Sequence, residues 1–318
     1  MVRPTGLALA LAAAPLAAAL HIAAAFSVVE YTPLLVARDD FYKGGPVTFS
    51  NGGVADLVAA AAAHDLAGNA ETQALRQFAG HRNLRIIYTV AEVAYRLVAS
   101  RAAGVTALAD LRGKRIGTMA ATSAAYFAER LLASAGLAPG TYTLVSAAPC
   151  NTPPCAADTL PGLLRTGAVD AVALWEPTAQ LALDALGGPA FASVFQNRSV
   201  YREVYNLHST AERLADPVSR GAIVAFVRAL NEAVKLFQNT PEVVLPRVAA
   251  AVNVSVPTLR EVWADHDWSG PRGLPKDLLD VLTEEEKWVA AVEKRAVVPR
   301  EALATLIDDS VFKEAFPA

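Results

Sequence analysis

Four acidic residues lie at or near the ends of candidate buried strands: Glu30, Glu71, Glu92 and Glu176. Ionised carboxylates attract amines and repel anions, and we find no arginine at the corresponding positions. Tyr31 and Trp175 adjoin two of these glutamates, and aromatic faces hold flat or cationic groups. The residue types predict capture of an amine, an amidine-like pyrimidine or a hydroxyl-rich molecule. For any single glutamate, stabilisation of a helix N-terminus is the competing role, and for each aromatic a core or rim position.

Neutral polar residues accompany the acidic ones at the same kind of position. The candidates for ligand contact are Thr32, Asn51, Gly52, Asn69, Thr122 and Ser123. Thr122 and Ser123 precede a predicted helix, where backbone N–H groups and hydroxyls can hold an anion or a polar group. Because Ser and Thr also cap ordinary helices, this feature alone is weak evidence for a site.

Alternating strands and helices are predicted to position these residues, which is typical of an α/β fold with largely parallel strands. The candidate strands are Leu20–Val29, Pro46–Phe49, His64–Leu66, Arg85–Thr89, Tyr95–Ser100, Arg115–Thr118, Tyr142–Ser146, Ala168–Leu174 and Ser193–Phe195. From Pro217 onward the pattern indicates successive helices. No Gly/Ser-rich linker separates them from the body, so we expect them to pack back on it.

Composition excludes several classes of protein. The chain has 318 residues, of which 53% are hydrophobic, and its net charge is −3. This length allows two domains with large cores, and the absence of a basic surplus argues against nucleic-acid binding. The five histidines show no metal-ligand spacing, and we expect neither metal nor cofactor.

The amino terminus has the anatomy of a secretory signal peptide over residues 1–19. Arg3 is followed by a short, alanine-rich apolar run that ends in small residues. A membrane anchor is the alternative, but the run is interrupted by Pro15 and is short for a bilayer. We therefore expect a secreted or periplasmic protein without stable membrane insertion.

Cys150 and Cys155 are the only cysteines. Their four-residue spacing does not match the thioredoxin-type motif, and an oxidising destination favours a disulfide over free thiols or a metal pair. Asn197 and Asn253 begin glycosylation sequons, which would matter in a eukaryotic host. Such short patterns arise easily by chance, so they do not establish the host.

Two segments about 50 residues apart carry a family resemblance. The stretch 107–118, with sequence ALADLRGKRIGT, and the stretch 163–177, with sequence LLRTGAVDAVALWEP, each combine a helix end, a turn and a strand. Together they resemble the type II periplasmic-binding-protein family, in its alkanesulfonate, nitrate and thiamine-precursor branch. Residues 30–37 and 49–54 are similar to the first two strand-to-helix turns of that family.

The resemblance implies two α/β lobes joined by crossing strands, with a ligand cleft and a hinge between them. Lobe 1 would comprise residues 20–100 and 207–318, with the C-terminal helices packing on it, and lobe 2 residues 101–206. We expect a monomer that binds a small molecule, with an ABC permease as partner if the host is bacterial. Ligands of open α/β sheets lie beyond the carboxyl ends of the strands, which agrees with the positions of the glutamates.

Three functions remain open from the sequence. The first is a solute-binding protein for a cationic or thiamine-precursor-like ligand, in which the change Glu176→Ala should abolish stabilisation by that ligand. The second is an enzyme similar to the thiamine-pyrimidine synthases, although the cysteine-rich iron motif of that family is missing here. The third is an extracellular binding or sensing module without a transporter, which neighbouring permease and ATPase genes would argue against.

Overall fold

The computed structural model describes residues 19–61 and 63–317. The predicted signal peptide lies outside these residues except for Ala19. The strands are β1 (Leu20–Ala24), β2 (Val47–Asn51), β3 (Leu66–Ala70), β4 (Leu84–Val93), β5 (Arg96–Ser100), β6 (Arg115–Thr118), β7 (Thr143–Ser146), β8 (Ala171–Leu174), β9 (Ala192–Phe195), β10 (Glu203–Thr210) and β11 (His266–Asp267).

Helices flank both sheets. They are α1 (Thr32–Val36), α2 (Val54–Val58), α3 (Glu71–Phe78), α4 (Ser123–Ser134), α5 (Leu160–Arg165), α6 (Thr178–Ala185), α7 (Ala211–Ala215), α8 (Pro217–Asn239), α9 (Pro241–Val252), α10 (Val256–Val262), α11 (Leu278–Val292), α12 (Arg300–Ala304) and α13 (Ser310–Ala315). The described chain has the predicted α/β class, with two mixed sheets.

Each lobe contains one sheet. The first sheet has the order β11-β4-β10-β3-β1-β2, in which β1 is parallel to β2 and β3 while β10 is antiparallel to its neighbours. The second sheet has the order β7-β6-β8-β5-β9, with β6 parallel to β7 and β8. Parallel neighbours bring the carboxyl ends of several strands to one edge, where loops can form a binding site.

Two segments cross between the sheets. The first lies between β4 and β5, at Ala94 and Tyr95, and the second between β9 and β10. Because β5 pairs with β8 and β9, it belongs to lobe 2, whereas β10 pairs with β3 and β4 and belongs to lobe 1. The pairing places the crossings a few residues before the predicted lobe boundaries at 100 and 207.

The C-terminal helices pack back on lobe 1. Helix α8 contacts α1 and α13, and α11 contacts α3. Leu230 of α8 and Leu282 of α11 are fully buried in the two hydrophobic clusters of the protein. This apolar contact anchors the C-terminal section.

Strand β10 was not among the predicted strands, although all eight of its residues are buried. Its sequence places Glu203, Asn206 and His208 among apolar residues, so it lacks the continuous apolar run of a buried strand. The predicted strand from Leu20 to Val29 ends at Ala24, and Val29 begins a short helical turn instead.

Among the described residues, no single helix is long and apolar enough to cross a membrane, while one pair, Pro241–Val252 and Val256–Asp265, passes that test together with a bend of 111°.

Candidate ligand-binding cleft

A cavity of about 400 Å³ lies between the two lobes. Five of the predicted ligand-contact residues line it: Glu30, Asn69, Thr122, Ser123 and Trp175. Glu30 and Asn69 come from lobe 1, and the other three come from lobe 2. The cavity is large enough for a small organic molecule that contacts both lobes.

Glu30 lies in a short helical turn beyond the carboxyl end of β1. Its side chain is 1% exposed, and neither Oε1 nor Oε2 accepts a hydrogen bond from any described residue. The Nε2 of His266 is 3.4 Å from Glu30 Oε1. A buried carboxylate without hydrogen bonds is costly unless a ligand pairs with it.

Glu203 and Tyr205 also line the cavity, and neither is among the residues predicted from the sequence. They lie two residues apart on β10 and therefore point to the same face. Burial, and then the charges of Glu30 and Glu71, raise the pKa of Glu203 well above its usual value. Burial also raises the pKa of Tyr205, and its hydroxyl has no hydrogen-bond partner in the described chain. A polar, electron-rich corner of the cavity results.

The lobe 2 wall is formed by Trp175 and the start of α4. The Nε1 of Trp175 has no hydrogen-bond partner among the described residues, although the ring lies in the cavity lining. Thr122 caps α4 by accepting a bond from the Ala124 N–H at 3.3 Å. Ser123 Oγ is 2.9 Å from the hydroxyl of Tyr95, which also lines the cavity. This wall offers an aromatic face and several donors.

Arg76 is the cationic side chain in the described cavity lining, and the sequence analysis did not include it. Its Nε donates to Glu293 Oε1 at 2.8 Å, and its Nη1 donates to the carbonyl of Ala121 in lobe 2 at 2.8 Å. The guanidinium is therefore engaged in joining the lobes.

Further contacts join the lobes outside the cavity. Trp288 Nε1 donates to Glu129 Oε2 at 3.1 Å, and Arg130 forms an ion pair with Glu284 at 3.4 Å. Helix α4 provides both Glu129 and Arg130, whereas α11 provides their partners. The lobes are thus in contact around the cavity, as in a closed cleft.

The other three predicted glutamates bind protein groups rather than lining the cavity. Glu71 accepts hydrogen bonds from the Tyr201 hydroxyl at 2.8 Å and the Val204 N–H at 2.7 Å. Glu92 pairs with Arg202. Their carboxylates lie at strand or helix ends as expected, but internal partners already satisfy them.

Glu176 is fully buried against Arg96, with Oε1 at 2.5 Å from the guanidinium Nε. Its Oε2 accepts a hydrogen bond from the Gln180 N–H at 3.0 Å. Burial raises the pKa of this carboxyl, and Arg96 acts in the opposite direction. Arg96 precedes Glu176 by 80 positions in the sequence, so the local pattern could not reveal the pairing. Because Glu176 pairs with Arg96 and does not line the cavity, we expect Glu176→Ala to lower the stability of the protein rather than to remove a direct ligand contact.

Four further predicted residues support the cavity without lining it. Tyr31 packs against Phe26 with ring centroids 5.4 Å apart, and the Thr32 hydroxyl donates to the Val29 carbonyl at 2.7 Å. Asn51 Oδ1 accepts from the Phe26 N–H at 3.1 Å and so holds the loop after β1. Gly52 lies so close to Asp56 that a Cβ would be 2.2 Å from its carboxylate, which explains the glycine by packing.

A disulfide joins Cys150 and Cys155, as the sequence predicted. Pro149, directly before it, lines the cavity. Asn197 and Asn253 are exposed, and Asn253 Nδ2 donates to Thr152 Oγ1 across the lobes at 3.0 Å. Within the described residues no group of three or more His, Cys, Asp or Glu side chains could hold a metal ion.

Comparison with known proteins gives both a family and a fold. A family model described as NMT1/THI5 like matches residues 47–243. The alkanesulfonate-binding protein SsuA of Xanthomonas axonopodis pv. citri, bound to MOPS, superposes with a TM-score of 0.69 at 18% identity, covering 93% of this chain and 99% of the other. The periplasmic aliphatic sulphonate binding protein SsuA of Escherichia coli has a TM-score of 0.66 at 15% identity, covering 89% and 91%.

One similar structure is an enzyme. The desulfurization enzyme DSZB has a TM-score of 0.60 at 15% identity, and the match covers 93% of this chain and 98% of that chain. Among curated proteins none matches this chain significantly. Since this fold carries both binding proteins and an enzyme, it does not by itself decide catalysis. The family model spans more than half of the sequence, and the chain belongs to the NMT1/THI5-like family, with the fold of the type II periplasmic binding proteins.

Proposed function

We propose that this protein is a secreted or periplasmic solute-binding protein that captures a small cationic or amino-heterocyclic molecule, of thiamine-precursor-like chemistry, between its lobes. In a bacterial host the proposal extends to delivery of the ligand to an ABC permease. The observation that carries it is the Glu30 carboxylate, which is buried in the cavity wall and has no hydrogen-bond partner in the described chain.

The rest of the lining supports the same ligand chemistry. Glu203 and Tyr205 add oxygen atoms beside Glu30, where an amino group could donate. Trp175, in the opposite lobe, offers an aromatic face and an Nε1–H that has no partner in the described chain, where a ring and an acceptor could lie. A planar molecule with donors at one end and an acceptor at the other would contact both lobes.

A sulfonate fits this cavity less well, although the two SsuA proteins are sulfonate-binding. The guanidinium of Arg76 is already bonded to Glu293 and to the Ala121 carbonyl. An anion near Glu30 would also meet a buried carboxylate whose oxygens accept no hydrogen bond in the described chain, and burial strengthens that repulsion.

A thermal-shift panel tests the proposal. The panel contains amines, amidines and aminopyrimidines beside alkanesulfonates and nitrate, and hits are measured by calorimetry. We expect a cationic or amino-heterocyclic hit, and Glu30→Gln should weaken it by about 10- to 150-fold, the value of a charge-assisted hydrogen bond. Glu261→Gln, at an exposed position, is the matched control and should retain the affinity. Stabilisation by sulfonates or nitrate alone would overturn the proposal.

A further inference from the structure

The environment of Glu30 contains a second titratable group, His266. Its side chain, on β11, is fully buried, and Nε2 is 3.4 Å from Glu30 Oε1. Trp268 stacks on the ring with centroids 5.3 Å apart and an interplanar angle of 12°. The stacking fixes the plane of the imidazole, so the same ring edge faces Glu30.

The other ring nitrogen determines the tautomer. His266 Nδ1 is 3.1 Å from the carbonyl oxygen of Val262. A carbonyl only accepts hydrogen bonds, so Nδ1 must carry a proton and donate it. The Nε2 of a neutral ring would then direct a lone pair toward the Glu30 carboxylate. This contact is favourable only when one further proton belongs to the pair, either on Nε2 or on Glu30.

We propose that a cationic ligand exchanges with this proton: when the cation binds Glu30, the Glu30–His266 pair releases one proton to solvent. The inference rests on the proposed function, and it adds how the site selects its ligand. With its proton the pair is neutral, whereas without it the pair carries one negative charge. A buried site does not easily hold an imidazolium and a ligand cation around one carboxylate, so one replaces the other.

The other charged and titratable groups near the pair must be considered. Those that interact electrostatically with Glu30 or His266 are Glu203, Tyr95, Tyr205 and Asp265. Burial alone would lower the pKa of His266, but the nearby Glu30 carboxylate and the Val262 carbonyl raise it overall. Burial and then the charge of Glu30 raise the pKa of Glu203, which makes that carboxyl the alternative source of a released proton.

Choline is a suitable probe because its charge cannot titrate. Its neutral analogue 3,3-dimethylbutan-1-ol has the same shape and serves as the control ligand. Calorimetry in buffers of different ionisation enthalpy counts the protons released on binding. In the pH range where the pair is protonated, we expect release of about one proton per choline bound. In that range the Kd should fall about tenfold for each unit by which the pH rises, which is the linkage of one proton. The neutral alcohol should release none.

Variants identify the source of the proton. Gln at position 266 keeps a hydrogen-bond donor without titrating, so His266→Gln should remove both the proton release and the pH dependence. Glu203→Gln should retain the release. Because His266→Gln could also disturb folding, NMR of the ¹⁵N-histidine-labelled wild-type protein gives an independent measurement. There we expect a protonated Nδ1, and a lower pKa of His266 in the Glu30→Gln variant.

Three outcomes would overturn the exchange. The first is choline binding without proton release, and the second is release that persists in His266→Gln and disappears in Glu203→Gln. The third is a His266 pKa that does not respond to Glu30→Gln. Each of these leaves the proposed function intact. If neither choline nor any aminopyrimidine binds, the proposed function itself fails, and the inference fails with it.

Discussion

The two lobes treat buried glutamates at strand ends differently. Glu176 follows β8 in lobe 2 and Glu30 follows β1 in lobe 1, and neither is more than 1% exposed. Glu176 is paired with Arg96 at 2.5 Å and accepts the Gln180 N–H. Among the residues that the structure describes, the ion-pair partner within reach of Glu30 is the imidazole of His266, at 3.4 Å. The same residue type in the same kind of position thus holds lobe 2 together, while in lobe 1 it remains available to a ligand.

The largest expected effect comes from removing the Arg96–Glu176 ion pair of lobe 2. Glu176→Gln should reduce the free energy of unfolding by about 3 to 5 kcal/mol, because it leaves the buried Arg96 without its main counter-charge. Urea unfolding of the ligand-free protein measures the loss.

Replacing both partners provides the control. The double variant Arg96→Met with Glu176→Met removes both charges and should lose much less stability than the single variant. If Glu176→Gln costs under about 1 kcal/mol, the ion pair does not stabilise lobe 2 and the contrast with Glu30 is wrong.

The next-largest effect concerns Glu203, which lines the cavity together with Glu30. The pKa of Glu203 is raised, so the folded protein binds its proton more tightly than the unfolded chain does. This proton's contribution to the free energy of unfolding is fully present below the pKa that Glu203 has in the unfolded chain. The contribution is lost as the pH rises through the pKa of Glu203 in the folded protein. Glu203→Gln should therefore stabilise the protein at pH 8 and change its stability little at pH 4. Unfolding at both pH values measures the difference, and an equal effect at both would contradict the explanation.

The smallest effect concerns the lobe 2 wall of the cavity. Trp175→Phe keeps an aromatic ring but removes the Nε1 donor, which has no partner in the described chain. Affinity for the hit from the ligand panel should fall about 2- to 12-fold, the value of one neutral hydrogen bond. Calorimetry measures the Kd, and thermal unfolding should be nearly unchanged. A large loss of stability would instead show that Trp175 is a packing residue, with a structural role like that of Glu176.

Much of the fold could be predicted from the sequence because its patterns are local. The apolar run before Glu30 and the stretch around Arg115–Thr118 each form a strand, as their residues suggest. Strand β10 could not be found in this way. Some of its polar residues contact groups distant in the sequence: the Nδ1 of His208, for example, is 3.1 Å from the Ala67 carbonyl.

The candidate site could be predicted only in part. Glu30 was found because it follows the apolar run that contains β1, and Trp175 because it directly follows the apolar strand β8. Glu203 and Tyr205 were missed with the strand that carries them, although their two-residue spacing was a usable pattern. Arg76 was missed because its position in α3 contains no hint of the contact with the Ala121 carbonyl, 45 residues away.

By itself, the sequence determined the α/β architecture, the cysteine pair and the presence of carboxylates at several strand ends, because strand periodicity and spacing are properties of neighbouring residues. Only the tertiary structure decided which carboxylate stays without a partner. Arg96 reaches Glu176 from a different strand, and Arg202 reaches Glu92 from a crossing segment. Glu30 receives no such arginine in the described chain, since charge pairing depends on which distant side chains the fold brings within a few ångströms.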